Sequence, residues 1–277
     1  MKTVRLACGE LVPALGQGTW NMGEDPAQRA AELAALRLGI DLGLTLIDTA
    51  EMYGEGLAES LVGEAIAGRR DEVFLVSKVY PHNASRQAMR RSCEASLRRL
   101  GTDRLDLYLL HWAGSVPLAQ TLEGFAALQR DGLIRHFGVS NLDLATIGEL
   151  AGLPGGAGVQ TDQLLYNLWR RGIEHDLLPW LRQRAIPVMA YSPLEQGRLP
   201  ADRRLQALCS RHGITPAQAA LGWLLAQDGV MAIPKAASAG RVQANAAALA
   251  RPPDAQALAE LERLFPPPRG PVPLEML

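Results

Sequence analysis

The chain holds only three cysteines in 277 residues, Cys8, Cys93 and Cys209. They lie far apart, with no C-x-x-C pair and no histidine at a zinc-ligand spacing, so neither a disulfide framework nor a metal is expected. No apolar run approaches the ~20 residues of a membrane span. Lys2, Arg5 and Glu10 interrupt the N-terminal stretch, which leaves no signal-peptide core. An excess of either charge is also missing: 28 basic side chains stand against 29 acidic ones. That balance disfavours nucleic acid or an acidic membrane as partner. A cytoplasmic monomer is expected.

What is abundant is material for a core, with 48% hydrophobic and 21% charged residues. Short apolar runs recur at Ala14–Thr19, Thr45–Asp48, Val73–Lys78, Leu105–His111, His136–Ser140, Gly158–Gln163, Pro187–Ser192 and Val230–Pro234. Between them lie stretches of helical spacing such as Ala27–Leu42, Arg86–Leu100, Leu118–Asp131 and Pro216–Gln227. Eight strand-then-helix units predict an α/β fold, a (β/α)8 barrel of the TIM type forming one domain over residues 1–277. Before it, Val4–Ala7 and Glu10–Pro13 flank Cys8-Gly9 and read as a β-hairpin. After it, Asp254–Leu264 predicts a last helix, and five prolines between Pro266 and Pro273 predict an extended tail.

Three nucleotide and nucleophile motifs fail. Gly54-Glu55-Gly56 begins a dinucleotide fingerprint, but Glu59 stands at the third glycine and no strand precedes it. Gly138-Val139-Ser140-Asn141 begins a hydrolase elbow, but Leu142 replaces the last glycine. A Walker loop is absent.

Barrel enzymes carry their chemistry at the C-terminal ends of the strands. There the chain places Asp48, with Tyr53 just beyond it, then Lys78 and His111 on successive runs. Adjacent strands are ~4.8 Å apart, so residues closing three neighbours can meet. Each residue alone has a plain structural explanation: a turn cap, a loop tyrosine, a solvated lysine, a core histidine. Together, a lysine and an aspartate ending apolar strands are cheapest to bury as a pair.

These residues and their surroundings resemble the aldo-keto reductases. The resemblance rests on Gly16-Gln17-Gly18-Thr19-Trp20, Asp48 to Gly54, Val76-Ser77-Lys78, Asp106 to Trp112, Gly138 to Asn141 and Ile233-Pro234-Lys235, in family order. The Glu51-Met52 version of the tyrosine loop is similar to that of bacterial methylglyoxal-reductase-like members. The resemblance implies NADPH-dependent reduction of small carbonyl compounds and a catalytic tetrad of Asp48, Tyr53, Lys78 and His111. In it Tyr53 is the acid, Lys78 lowers the tyrosine's pKa, Asp48 holds Lys78, and neutral His111 orients the substrate oxygen.

For the cofactor, the resemblance implies Gly18, Thr19, Trp20, Ser140, Asn141 and Gln163 near the nicotinamide, with Tyr191 stacked on it. Ser192, Pro193 and Leu194 would follow the pyrophosphate. Lys235, Ser238 and Arg241 would take a 2′-phosphate at a helix start, and Asn245 the adenine. Ala236 and Ala244 replace a serine and a glutamate frequent in the family, which implies a looser clasp. Trp20, Tyr80 and Trp112 are expected to wall the substrate pocket, with Trp169 able to reach it. Trp180 and Trp223 read as core. The proline-rich tail is expected to add little, so that its removal changes little. A redox-sensing NADPH-binding subunit and a phosphate-binding barrel isomerase or aldolase are the competing readings.

Overall fold

A computed structural model describes residues 2–277. The hairpin comes first, with β1 (Thr3–Arg5) antiparallel to β2 (Leu11–Pro13). The chain then alternates as β3 (Gln17–Gly18), α1 (Arg29–Asp41), β4 (Leu46–Asp48), α2 (Leu57–Ala65), β5 (Phe74–Val79) and α3 (Arg86–Leu100). It continues through β6 (Leu105–Leu110), α4 (Leu118–Arg130), β7 (Ile134–Ser140), α5 (Leu144–Gly152), β8 (Asp162–Leu165) and α6 (Leu177–Gln183). The last elements are β9 (Val188–Tyr191), α7 (Arg203–His212), α8 (Pro216–Ala226), β10 (Val230–Ala232), α9 (Ala239–Ala250) and α10 (Ala255–Leu264).

Strands β3 to β10 pair in parallel in strict sequence order. Parallel bridges Leu15–Ala232 and Gly18–Lys235 join the last strand to the first, which curls the sheet into an α/β barrel. The strand interiors are buried throughout β4, β5, β6, β8 and β10, as expected of a sheet covered on its outer face by helices. The expected runs His136–Ser140 and Gly158–Gln163 are shifted: β7 starts earlier, at Ile134, and β8 later, at Asp162. His111 and Ser192 fall one residue beyond their strands.

Local chemistry sets the helix ends. Thr215 and Gln218 form a reciprocal cap at α8, with Pro216 in the first turn where its missing N–H costs nothing. Asp143, Asp202 and Asp254 cap α5, α7 and α10. Left-handed Gly101 and Gly213 end α3 and α7. No described helix is long and apolar enough to cross a membrane.

The barrel seam is tight. A Cβ on Gly18 would stand 2.6 Å from the carbonyl oxygen of Ile233, and that oxygen belongs to the backbone rather than to a yielding side chain. Gly18→Ala should therefore destabilise the protein by roughly 1–3 kcal/mol, as overpacking does. Urea unfolding checks this, and an unchanged midpoint would show that the seam can open without cost.

Candidate active site

The register explains why the expected residues converge. Asp48 pairs with Val76, and Lys78 lies two residues further along β5; Lys78 pairs with Leu109, and His111 lies two residues beyond that. Because strand side chains alternate with period two, each step of two keeps the same face. The stagger of the barrel advances the three residues along one interior wall. Tyr53 follows β4 and opens a tight turn, Tyr53–Gly56, in which Gly54 and Glu55 are left-handed (φ 55° and 53°), and its ring centroid lies 4.6 Å from Lys78 Nζ.

The four residues form one connected group. Lys78 Nζ has no exposure to solvent and donates to Asp48 Oδ2 at 2.8 Å, the Thr49 carbonyl at 2.9 Å and Tyr53 Oη at 3.0 Å. The other Asp48 oxygen accepts from Gln163 Nε2 at 2.7 Å. His111 packs edge-on to Tyr53 with ring centroids 5.8 Å apart, and its buried Nδ1 has no hydrogen-bond partner.

Burial and charge pull these groups in opposed directions. Burial alone would lower Lys78, but the Asp48 charge and the contact with Tyr53 outweigh it and hold the ammonium above its ordinary value. Burial pushes Asp48 up against the opposing charge of Lys78. The Tyr53 phenol is also pushed up by burial, and Lys78 offsets only part of this. That corrects the expectation of a lowered tyrosine: here the phenol holds its proton more firmly. Burial, with the Lys78 charge second, pulls His111 down to about 2, so its imidazole is neutral at physiological pH.

A cavity of about 670 Å³ opens above the group, within the range of small-molecule sites. Its wall includes Asp48, Tyr53 and His111 at one end, Ser140, Asn141, Gln163 and Tyr191 through Leu194 along it, and Lys235, Arg241 and Asn245 beyond. Gly18, Thr19, Trp20 and Trp112 also line it, whereas Lys78 lies beneath the wall and Ser238 outside it. Asn141 is already engaged: its amide donates to the His111 carbonyl and Ser140 Oγ, and its oxygen accepts from Tyr191 Oη at 2.9 Å. Ser238 stands at the start of α9, exposed, with its hydroxyl unused as a cap.

Several placements differ from expectation. Tyr80 is outside the cavity wall and instead packs edge-on behind Trp112, with centroids 6.0 Å apart. Trp169 is also outside the wall. Trp223 is core, whereas Trp180 is only half buried, with the Arg184 guanidinium over its ring. The tail is no bystander: Met276 and Leu277 line the cavity, and the Leu277 amide donates to Tyr191 Oη at 3.4 Å. Glu275 is tied to Arg170, which also grips the fully buried Glu195 in the loop after β9. The tail thus contributes to the cavity wall, a place not assigned to it from sequence.

Asn21, Met52, Gln196, Gly197, Pro200 and Ala217 also line the wall and were not assigned a role from sequence. Asn21, Asn141, Ser192 and Gln196 share a left-handed backbone, with φ of 56°, 58°, 47° and 55°. Backbone of this kind persists where the surrounding structure fixes it, commonly at functional sites. A loop of Glu-Gln-Gly after a strand was the only available signal for Gln196.

The depressed His111 value has a consequence for stability. The unfolded chain takes up this proton near pH 6.5 and the folded protein does not until about pH 2, so folding stability falls as pH drops below 6.5. The slope is about 1.4 kcal/mol per pH unit for one proton. Urea unfolding at pH 7 and pH 5.5 should show a larger loss for the wild type than for His111→Gln. Equal losses would mean that His111 titrates normally in the fold.

Comparison with known proteins places this geometry in context. The Aldo/keto reductase family profile matches residues 14–265. The chain is 53% identical to methylglyoxal reductase YeaE of Escherichia coli K12 over 281 aligned residues, covering 100% of this chain and 99% of that protein. It superposes with a TM-score of 0.96 on an aldo/keto reductase from Klebsiella pneumoniae solved in complex with NADP and acetate, at 52% identity over 100% and 99% of the two chains. A thermostable aldo-keto reductase, Tm1743, solved with the inhibitor epalrestat, gives a TM-score of 0.87 at 39% identity over 95% and 100%. A buried Lys-Asp-Tyr group at the mouth of a parallel barrel and a family match over nearly the whole chain lead to one conclusion: this protein belongs to the aldo/keto reductase family.

Proposed function

We propose that this enzyme reduces small aldehydes and ketones, methylglyoxal-like and aromatic aldehydes among them, with NADPH as reductant and Tyr53 as proton donor. The observation that carries the reading is the Lys78 ammonium 3.0 Å from Tyr53 Oη at the floor of the cavity. The NADP complex of the Klebsiella relative and the methylglyoxal reductase of Escherichia coli support the reading.

The donor set fits the cofactor. Amide and hydroxyl groups of Ser140, Asn141 and Gln163 suit a carboxamide, and the half-buried Tyr191 ring offers a stacking face. Gln163 spends its Nε2 on Asp48, so its oxygen is the atom left to accept from a ligand amide. Asn141 would exchange its bond with Tyr191 for one to the carboxamide. Gly18, Thr19 and Trp20 would border the nicotinamide, Ser192, Pro193 and Leu194 the pyrophosphate, and Asn245 the adenine. At the far end, the uncapped first turn of α9 with Lys235, Ser238 and Arg241 suits a 2′-phosphate.

Bound there, the reduced nicotinamide supplies a hydride to the carbonyl carbon. The chain's own residues handle the charge that then develops on oxygen. Tyr53 Oη gives its proton to that oxygen; a phenol is already protonated at neutral pH, and burial holds the proton more firmly still. Lys78 stabilises the phenolate as it forms, which is help given to the transition state rather than to the resting enzyme. Asp48 keeps Lys78 charged and aimed. Neutral His111 contributes a hydrogen bond that orients the carbonyl without competing as an acid. Trp20, 40% exposed, Trp112, Met276 and Leu277 line the cavity, and aromatic and apolar walls suit compact, flat guests.

Tyr53→Phe should lose at least ~100-fold in kcat, the lower range of general-acid catalysis, while NADPH binding by fluorescence titration stays within about two-fold. NADPH consumption with methylglyoxal and benzaldehyde-type substrates reads the rate; wild-type turnover by the variant would remove Tyr53 as donor. No turnover of any aldehyde by the wild type, with NADPH bound, would favour the sensor reading.

Arg241→Ala should weaken NADPH roughly ten-fold to a hundred-fold, equivalent to about 1.5–3 kcal/mol for a charge-assisted bond, and leave NADH nearly unchanged. Equal loss for both cofactors in the same titration would assign Arg241 to the fold or the adenine instead.

A further inference from the structure

We propose that Cys8, Glu10 and His136 form a binding site for one zinc-type divalent cation at the closed end of the barrel, away from the cavity. Cys8 and Glu10 flank Gly9 in the turn of the hairpin, and His136 lies near the start of β7. Ser140, at the cavity, closes the same strand about 13 Å away at ~3.3 Å per residue. The Cys8 sulfur, a Glu10 oxygen and a His136 ring nitrogen all lie within 4.8 Å of one another. A thiolate, an imidazole and a carboxylate are the ligand types that zinc takes, and three of them leave a fourth position for water.

The placement of the histidine argues for a shared metal rather than a proton relay. Glu10 Oε2 stands 2.6 Å and Cys8 Sγ 3.9 Å from His136, and both approach the same nitrogen, Nε2. A relay would need one partner on each ring nitrogen. With bonds of ~2.3 Å to sulfur and ~2.0–2.1 Å to nitrogen and oxygen, tetrahedral ligand atoms sit roughly 3.3–3.7 Å apart. The Cys8–His136 separation is already close to this, and the Glu10–His136 contact must open by about 0.7 Å.

The backbone holds the turn ready. Cys8 N donates to the Gln160 side chain at 2.7 Å, Leu6 N to the Glu10 carbonyl at 2.8 Å and Gly9 N to the Leu6 carbonyl at 2.8 Å. Gly9 adopts φ of 95°, which lets the chain reverse within so few residues. Arg135 donates to both Glu10 oxygens, at 2.9 and 3.0 Å. It therefore competes for the carboxylate, and it balances part of the site's negative charge when no metal is bound. A bound ion would fasten the hairpin to β7 across the floor of the barrel, and binding to the folded state alone would raise stability.

Tag-free, chelator-treated, fully reduced protein tests this with cobalt as optical probe and zinc as competitor. One equivalent of cobalt should produce thiolate-to-cobalt charge-transfer absorbance, zinc should abolish it, and zinc should raise the unfolding temperature. Cys8→Ser should lose the absorbance. His136→Gln should bind at least as much weaker as the roughly 10–100-fold that losing even an outer partner costs. Cys209→Ser, at a buried cysteine elsewhere, should behave as wild type. Cys8→Ala, on an exposed turn, keeps the test valid should His136→Gln fail to fold. Absent charge transfer at saturating cobalt, or its persistence in either Cys8 variant, would overturn the proposal, as would wild-type affinity in folded His136→Gln.

Discussion

An ammonium taken wholly out of water costs several kcal/mol unless charge and hydrogen bonds replace its hydration, and Lys78 is fully buried. Three acceptors meet its three protons: Asp48, the Thr49 carbonyl and Tyr53 Oη. Each acceptor comes from a different point along β4 and the turn after it, so the lysine can be satisfied only when that segment and β5 are in register. The tyrosine's position depends on this one charge, which also opposes the effect of burial on Asp48 and adds to the effect of burial in keeping His111 neutral. Removing the lysine would leave Asp48 as an uncompensated buried carboxylate, so the same contact supports the fold and the chemistry.

Around this fixed floor the rim is built differently. The strands place Asp48, Lys78 and Gln163, but the cavity's upper wall comes from loops with left-handed residues, including Asn141, Ser192 and Gln196. The Arg170–Glu195 pair ties the loop after β9 to the loop after β8, and Arg170–Glu275 ties the tail to the loop after β8. Asn167 donates to Glu195 as well, at 2.7 Å, and Arg198 at 2.9 Å, so the buried carboxylate has three partners. The tail is thus held by the Arg170–Glu275 ion pair and by Leu274 packed against the core. Asp48, Lys78 and Gln163 sit on strands, Tyr53 and His111 lie just beyond strand ends, and the upper wall comes from loops.

Much of this was legible in the sequence for a definite reason. Period-two and helical spacing expose strands and helices, and a polar residue closing an apolar run is conspicuous, so Asp48, Lys78 and His111 could be picked out before any fold was known. The shifted strand starts at β7 and β8 reflect turns that spacing does not encode. Tyr80 misled because residues at loop starts can turn either way; only packing shows it standing behind Trp112. The tail's path was invisible because its anchors, Arg170 and Tyr191, are far away in sequence. The Tyr53 shift was read with the wrong sign because its neighbouring charge can be inferred from sequence, whereas the depth of its burial cannot.

The central claim is that the Asp48-Lys78 pair acts on the reacting oxygen through Tyr53, not merely on folding. Single-turnover loss of NADPH fluorescence on mixing the preformed Asp48→Asn complex with excess methylglyoxal tests it most directly. The account predicts a folded variant that binds NADPH within a few-fold of wild type, yet consumes it at least ~100-fold more slowly. A single-turnover rate equal to the wild type in that variant would contradict the account.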